Sequence, residues 1–360
     1  MKEKYCKIPK FRFNKFLESW KRLKYEDVIE VNSGKDYKHL EKGDIPVYGT
    51  GGYMLSVSEA ITNKDGVGIG RKGTINKPYI LKAPYWTVDT LFFCIPKNKY
   101  NLYFINAIFE RTQWERFDES TGVPSLSKLT INNIQNYFPS FDEQSAIGSL
   151  FRTLDELLAS YKDNLVNYQS LKATMLSKMF PKAGQTVPEI RLDGFEGEWE
   201  SKSLSEVCTI NSGRDYKHLK TGDIPVYGTG GYMLSVNEKL SDEDAIGIGR
   251  KGTIDKPYVL LAPFWTVDTL FYVICKPEYD LSYLFLIFQT VHWKKFDEST
   301  GVPSLSKKTI EKVVSKFPSL PEQQAIGTYF TNLDNLISAH QEKISQLETL
   351  KKKLLQDMFI

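Results

Sequence analysis

Between residues 20 and 139 the apolar positions come in short runs, DIPVYG, GVGIG, PYIL and TLFFCI, each closed off by glycine, proline, asparagine or aspartate. Runs of that length bounded by turn formers predict short strands. One stretch, NLYFINAIFERTQWERF, departs from the pattern and predicts a helix among the strands. From residue 142 to 180 the texture changes to a 3,4 spacing through Ile147, Leu150, Leu154, Leu157, Tyr161, Leu165, Tyr168, Leu171, Met175 and Met179, which predicts one long amphipathic helix. Ser140 and Glu143 have the spacing of a capping box at its start, and Pro181 and Gly184 end it. At 1.5 Å per residue this is a rod of about 55 to 60 Å, longer than the core of a small domain requires, so its seam needs a cover.

The same pattern then occurs again. GDIPVYGTGGYMLSV at residues 43–57 recurs letter for letter at residues 222–236. Asn32 and Asn211, Trp86 and Trp265, Pro139 and Pro318, and Met179 and Met358 are all 179 positions apart, and IPKFRFNKF at residue 8 aligns with VPEIRLDGF at residue 187. The chain is therefore two tandem copies of a domain-sized unit, which excludes a short-period solenoid. A second seam runs through Ile326, Tyr329, Leu333, Leu336, His340, Ile344, Leu347, Leu350, Leu354 and Met358, with Ser319 and Glu322 at capping-box spacing. Each long helix is the natural cover for the other in an antiparallel pair. The expected fold class is α+β: two similar mixed α/β domains separated by a long antiparallel two-helix coiled coil with internal pseudo-twofold symmetry. The divisions are 1–139 for the first domain, 140–180 for its helix, 181–318 for a linker and the second domain, and 319–360 for the last helix.

Composition changes this picture little. The formal net charge of +3 over 360 residues is mild, so a polyanion partner would have to meet locally clustered cations. No window approaches the ~20 apolar residues that span a bilayer, and the expectation is a cytoplasmic protein without membrane contact. Cys6, Cys94, Cys208 and Cys275 are scattered, and the four histidines add no ligand cluster, so neither a metal site nor a disulfide framework is expected. Walker strings, HExxH, the [NDS]PP[YFW] string of amino-methylation and a nuclease carboxylate cluster are all missing. The chain reads as non-catalytic by itself, with no cofactor of its own.

Five repeated strings carry candidate chemistry. GIGRKG at residues 68–73, and again at 247–252, fits GxGxxG, yet TINKPYIL follows the first with Pro78 where a dinucleotide site requires a helix. The glycines read better as a tight turn presenting Arg71 and Lys72 with Thr74 behind them, matched by Arg250, Lys251 and Thr253. Arginine can grip guanine O6 and N7 and lysine favours phosphate, although a solvated hairpin tip would look the same. NSGKDYKHL supplies Lys35, Tyr37, Lys38 and His39, and its copy Arg214, Tyr216, Lys217 and His218, types that contact phosphates and base edges or that simply fill an exposed turn. The long identical string adds Tyr48, Thr50, Gly51 and Tyr53, with Tyr227, Thr229, Gly230 and Tyr232, where glycine permits close backbone approach to a ligand or serves the turn alone. DESTGVPSLSK offers Thr121, Ser125, Ser127 and Lys128, repeated as Thr300, Ser304, Ser306 and Lys307, as phosphate clamps at a short helix; Ser127 equally suits a plain N-cap. In WTVDT, Trp86 reads as core, and Asp89 as the partner of a neighbouring arginine or a turn cap before it reads as a cytosine contact.

Together these strings resemble the specificity subunit of type I restriction-modification systems, the HsdS family. The resemblance covers essentially the whole chain: FPSFDEQSAIGSLFRTLD and FPSLPEQQAIGTYFTNLD are similar to the family's lead into its spacer helices, and IGRKGTI and TGVPSLS to its target-recognition signatures. It implies a DNA reader that assembles with two modification subunits, which carry S-adenosylmethionine and methylate adenine N6, and with restriction subunits, which translocate using ATP and Mg. Each recognition domain would read one half of a split double-stranded DNA target while the helices fix the gap and dock the modification subunits. Family members generally carry dissimilar readers; two near-copies imply the same half-site in opposite orientations. A stand-alone pseudo-dimeric DNA-binding regulator, or a sugar- or nucleotide-binding enzyme on the GxGxxG match, are the competing functions.

Overall fold

The computed structural model describes residues 8–360 and divides into two compact units, one of residues up to Asp163 together with Gln341–Ile360, the other Asn164–His340. These units cut across the division into domain, helix, domain, helix, because each contains part of both long helices. Cys6 lies outside the described residues; Cys94, Cys208 and Cys275 are free thiols.

In the first unit the short runs form strands β1 (Lys21–Lys24), β2 (Ile29–Ser33), β3 (Lys42–Gly49), β4 (Gly52–Val57), β5 (Gly66–Gly70), β6 (Tyr79–Leu81), β7 (Trp86–Thr87), β8 (Leu91–Pro96) and β9 (Gln135–Phe138). Helices α1 (Tyr25–Val28), α2 (Leu102–Arg111) and α3 (Lys128–Asn133) lie between them, and α4 (Phe141–Lys178) is the long helix. Strands β2, β8, β5 and β6 make an antiparallel sheet in that order. A second sheet has the order β4, β3, β7, with β3 and β7 parallel, and β1 pairs with β9. The stretch predicted as one helix breaks after Arg111 and resumes as a 3₁₀ turn at Trp114–Phe117.

The second unit repeats this arrangement strand for strand with β10 (Glu200–Ser203), β11 (Cys208–Ser212), β12 (Thr221–Gly228), β13 (Gly231–Val236), β14 (Ala245–Gly249), β15 (Tyr258–Leu260), β16 (Trp265–Thr266), β17 (Leu270–Cys275) and β18 (Val314–Phe317). Its helices are α5 (Leu204–Val207), α6 (Leu281–Thr290), α7 (Lys307–Glu311) and the long α8 (Leu320–Asp357).

Each core is completed by the other copy's helix. Met358 and Phe359, at the end of α8, are buried in the first unit, where the Phe359 ring lies 6.2 Å from Trp20 and 5.4 Å from Phe104. Met179 and Phe180, at the end of α4, occupy the equivalent places in the second unit, Phe180 stacking on Tyr283 at 5.6 Å. Within the first unit α4 and α8 pass antiparallel, since Lys351 bonds to Asp155 while Lys162 bonds to Glu348. Within the second, Lys172 bonds to Asp334 and Tyr168 meets His340, again with opposed numbering.

The predicted seam is partly displaced. Phe151 and Leu158, outside the 3,4 series, are buried, whereas Leu157, Leu171, Leu336 and Leu350 are exposed. Near its start each helix packs on a domain as well as on the other helix, and this turns the covered stripe away from a single heptad line.

The helix starts also differ from a capping box. Ser140 Oγ accepts from Glu143 N at 3.4 Å, but the Glu143 carboxylate does not reach back. It is buried, and Arg12 Nε and Nη2 donate to its two oxygens at 2.7 Å each. The hydrogen-bonded carboxylate raises the Arg12 guanidinium above its ordinary value. Arg191 holds Glu322 in the same bidentate way at 2.7 Å. The next residue, Gln144, donates to Pro139 O and accepts from Asn101 N, so the helix start is tied to the cap of α2. Asn101 Oδ1 caps Phe104 N, and a Cβ on Gly148 would lie 2.3 Å from that oxygen; only glycine fits there, as at Gly327 beside Asp280.

These contacts set two expectations. Glu143→Ala leaves the Arg12 charge uncompensated in a half-dry site, and removing one partner of a buried pair costs about 3 to 5 kcal/mol. Phe359→Ala empties an aromatic core position, at a cost of about 3 to 5 kcal/mol. Hydrogen exchange is expected to show lost protection in residues 20–138 for both variants, although Phe359 belongs in sequence to the other copy.

Candidate nucleic-acid interface

The motif glycines sit on a strand and a turn. Gly68 and Gly70 belong to β5, a Cβ on Gly70 would fall 2.1 Å from Thr74 O, and Gly73 turns the chain at φ +88°. An irregular segment and β6 follow in place of a helix, so the GxGxxG match builds no pyrophosphate site here.

The turn is locked to two other motifs by backbone bonds. Arg71 N donates to Thr90 O at 2.8 Å, Gly73 N to Pro124 O at 2.8 Å, and Leu126 N to Arg71 O at 2.9 Å, which sets Lys72 opposite Ser125. The loop between β7 and β8 then gathers the remaining strings. Lys35 N donates to Thr87 O, Val88 N to Tyr48 O, and the Trp86 indole to Lys35 O. Tyr79, whose phenol burial keeps protonated, donates to Gly49 O at 2.6 Å and anchors the hairpin of β3 and β4. Strings far apart in sequence thus form one face.

On that face the Arg71 guanidinium lies 5.9 Å from the centre of the Phe92 ring and donates to Asp89 O at 3.5 Å. Its partner is therefore the Asp89 carbonyl and not the side chain expected for it. No carboxylate pairs with Arg71 among the described residues, and both Arg71 and Lys72 are exposed. Lys35, Lys38 and His39 are exposed, with His39 against the buried Trp86 at 5.9 Å; Tyr37 and Tyr48 are half-buried. Thr50 and Thr74 are half-buried, Gly51 is open to solvent, and Tyr53 stands out from the hairpin with its hydroxyl on Ser56. Thr121 and Lys128 are exposed and Ser125 half-buried. Ser127 is the N-cap of α3 and also donates to Glu119, so its hydroxyl is already engaged, and the carboxylate stands where a phosphate was expected.

The second unit reproduces the face. Arg250 lies 5.9 Å from the Phe271 ring, bonds Asp268 O at 3.4 Å, and its turn is tied to Thr269, Pro303 and Leu305. Arg214, Lys217, His218, Lys251 and Lys307 are exposed; Tyr216, Tyr227, Thr229, Thr253 and Ser304 are half-buried; Gly230, Tyr232 and Thr300 are exposed; Ser306 caps α7 and is bound by Glu298. Here a cleft of about 360 Å³ opens between Ser212, Arg250, Lys251, Phe271, Ser304 and Lys307. Sequence reasoning missed Phe92, Phe271 and Ser212; the exact repetition of LF at Leu91–Phe92 and Leu270–Phe271 was the available signal. No group of His, Cys, Asp and Glu able to hold a metal occurs among the described residues, and no described helix is long and apolar enough to cross a membrane.

The family model described as the type I restriction modification DNA specificity domain matches residues 18–167 and 196–349. The chain belongs to this specificity family. Among curated proteins it is 22% identical over 277 residues to the type I restriction enzyme MjaVIII specificity subunit of Methanocaldococcus jannaschii, a match covering 66% of this chain and 64% of that one. The MjaIX specificity subunit of the same organism is 27% identical over 191 residues, covering 45% and 44%. The chain thus spans less than two thirds of the length of these relatives. The solved type I restriction-modification S subunit of M. genitalium shares the fold, with a TM-score of 0.76 at 17% identity over 98% of this chain and 99% of that one. In this specificity-family chain each matched segment contains one copy of the face described above.

The DESTGVPSLSK loop carries a pH signature. Asp118 accepts the N–H groups of Ser125 and Ser120, which hold its carboxyl below the ordinary value of 3.8, and Glu119 is lowered by Thr130 and Ser127. Asp297 and Glu298 are lowered in the same way. A depressed folded pKa adds stability above the ordinary acid value that is lost as pH falls through the folded one. The Ser120 and Ser125 amide resonances are therefore expected to hold still from neutral pH to about 5 and to move only below the ordinary aspartate range. Asp118→Ala should release both amides at neutral pH.

Proposed function

We propose that the chain is the DNA-recognition subunit of a type I restriction-modification complex, non-catalytic by itself, which reads a bipartite, inverted-repeat target in double-stranded DNA. It would direct adenine-N6 methylation or restriction by partner subunits. The observation that carries this is the duplicated cationic face. In each unit an arginine turn, a Lys or Arg loop and a hydroxyl-rich loop are fixed by main-chain bonds, while their charged ends stay exposed. Rigid placement of exposed cations and amide donors suits phosphate contacts that set register and base contacts that specify.

The near-identity of the two faces supports equal half-sites. The reciprocal exchange, in which each long helix ends in the other copy's unit, supports inverted orientation and one continuous antiparallel coiled coil as the spacer. Modification and restriction subunits are the proposed partners, and S-adenosylmethionine, ATP and Mg belong to them. The exposed Leu157, Leu171, Leu336 and Leu350 on the long helices offer apolar positions for docking the modification subunits.

Mapping adenine-N6 methylation in cells that express the chain with its modification subunits is expected to give a split motif with matching half-sites on opposite strands. Two unrelated half-sites would overturn the inverted-repeat reading. Arg71→Ala and Arg250→Ala are each expected to weaken target binding by about 1 to 3 kcal/mol, the worth of a bidentate base contact, and to relax one position of one half-site. A fragment ending near Pro181 carries one reader and one uncovered helix, and sedimentation should find it a symmetric dimer at micromolar concentration; a stable monomer would refute the helix pairing.

A further inference from the structure

The two copies differ most in charge away from the duplicated face, beside the end of α8. In the first unit a cleft of about 740 Å³ opens between the end of α2, the 3₁₀ turn Trp114–Phe117, strands β1 and β9 and the end of α8. Four cations line it: Arg22, Arg111, Arg116 and Lys352. At the matching positions the second unit has Ser201, Thr290, Lys295 and, from α4, Ala173. Three of the four charges therefore belong to the first unit alone.

The fold leaves this charge unspent. No carboxylate side chain pairs with any of the four among the described residues. Glu110 lies on the cleft wall, but it accepts from Lys351 at 2.6 Å and from Asn106 at 2.9 Å. Arg111 is half-buried, and burial pulls its guanidinium below its ordinary value, the opposite of Arg12, which its carboxylate partner raises. Arg111 Nη1 donates to the Ile360 oxygen at 2.9 Å, a bond that orients one edge of the guanidinium and leaves Arg22, Arg116 and Lys352 untouched. Gln113, Gln135 and Gln356 line the same cleft and add exposed amide donors.

A cleft lined by one sign of charge focuses the field and draws an ion of the other sign. Its volume lies within the roughly 300 to 1,000 Å³ of small-ligand sites. A phosphoryl group presents three acceptor oxygens and up to two charges, and so engages more of this donor set than a lone carboxylate can. We infer that the cleft is a phosphate-binding site of the first unit, distinct from the duplicated face and missing from the second unit. The phosphoryl group is carried by the DNA strand flanking the target or by a free phosphorylated molecule. Asn76, just beyond the arginine turn, donates to Glu115 beside Arg116, which ties the cleft to the loop next to the face.

Isothermal titration of the full chain with inorganic pyrophosphate tests the site, and one site per chain is expected. The variant Arg22→Ser, Arg111→Thr, Lys352→Ala carries residues that the second copy already holds at those positions and should bind about tenfold or more weakly. Arg116→Gln changes one exposed side chain and should also weaken binding, so the result does not depend on replacing the half-buried Arg111. Lys295→Gln, at the matching place in the second unit, should leave it unchanged. No binding, two equal sites in the wild type, an affinity unmoved by both first-unit variants, or an equal loss in Lys295→Gln overturns the site. Salt titration of target binding by the complete complex then identifies the source. A slope of log K against log salt that is shallower in the triple variant by about 0.9 per lost contact identifies the flanking strand, and an unchanged slope identifies a free phosphorylated ligand. A complex that binds no DNA overturns the proposed function and leaves the pyrophosphate result standing.

Discussion

The buried carboxylate in the first turn of each long helix is the constraint on which the rest of the structure depends. Glu143 and Glu322 are almost without solvent contact and carry charge, a costly arrangement unless the charge is matched and all its bonds are made. Arg12 and Arg191 match them bidentately, and each arginine also donates to main-chain carbonyls of its own arm, at Glu18 or at Glu196 and Gly197. The arm, the helix start and, through Gln144 or Gln323, the cap of the neighbouring helix therefore become one hydrogen-bonded junction. The direction in which a 38-residue helix leaves its domain is fixed there.

The sequence made legible what is periodic or repeated. The 3,4 spacing located the first long helix to within two residues of its observed ends and the second to within three, and the 179-residue offset showed that whatever one unit is, the other is also. Long-range pairing was not legible in the same way. Arg12 and Glu143 are 131 residues apart, and the local spacing of Ser140 and Glu143 pointed to a capping box that the ion pair displaces. The leucine series misjudged Leu157 and Leu171 because periodicity reports a stripe, whereas burial depends on what lies opposite it. On the candidate face the strings were visible one by one. Their convergence on the β7–β8 loop rests on main-chain bonds, which leave no mark on residue type.

A comparison within the chain shows how the same residue type acquires opposite roles. Arg12 and Arg71 are both arginines beside aromatic or acidic neighbours, and a mild net charge distinguishes neither. Arg12 spends its charge on a buried carboxylate, which takes a bond from Nε and another from Nη2. Arg71 is held by a ring face and by a carbonyl oxygen, partners that orient a guanidinium without cancelling its charge. An arginine anchored by neutral groups keeps a positive field directed outward, and the entropy of placing it has already been lost on folding. Recognition of an anionic partner needs that combination of fixed position and unspent charge, and the second copy preserves it at Arg250, with an aromatic ring below and a carbonyl beside it at the same distances to within 0.1 Å.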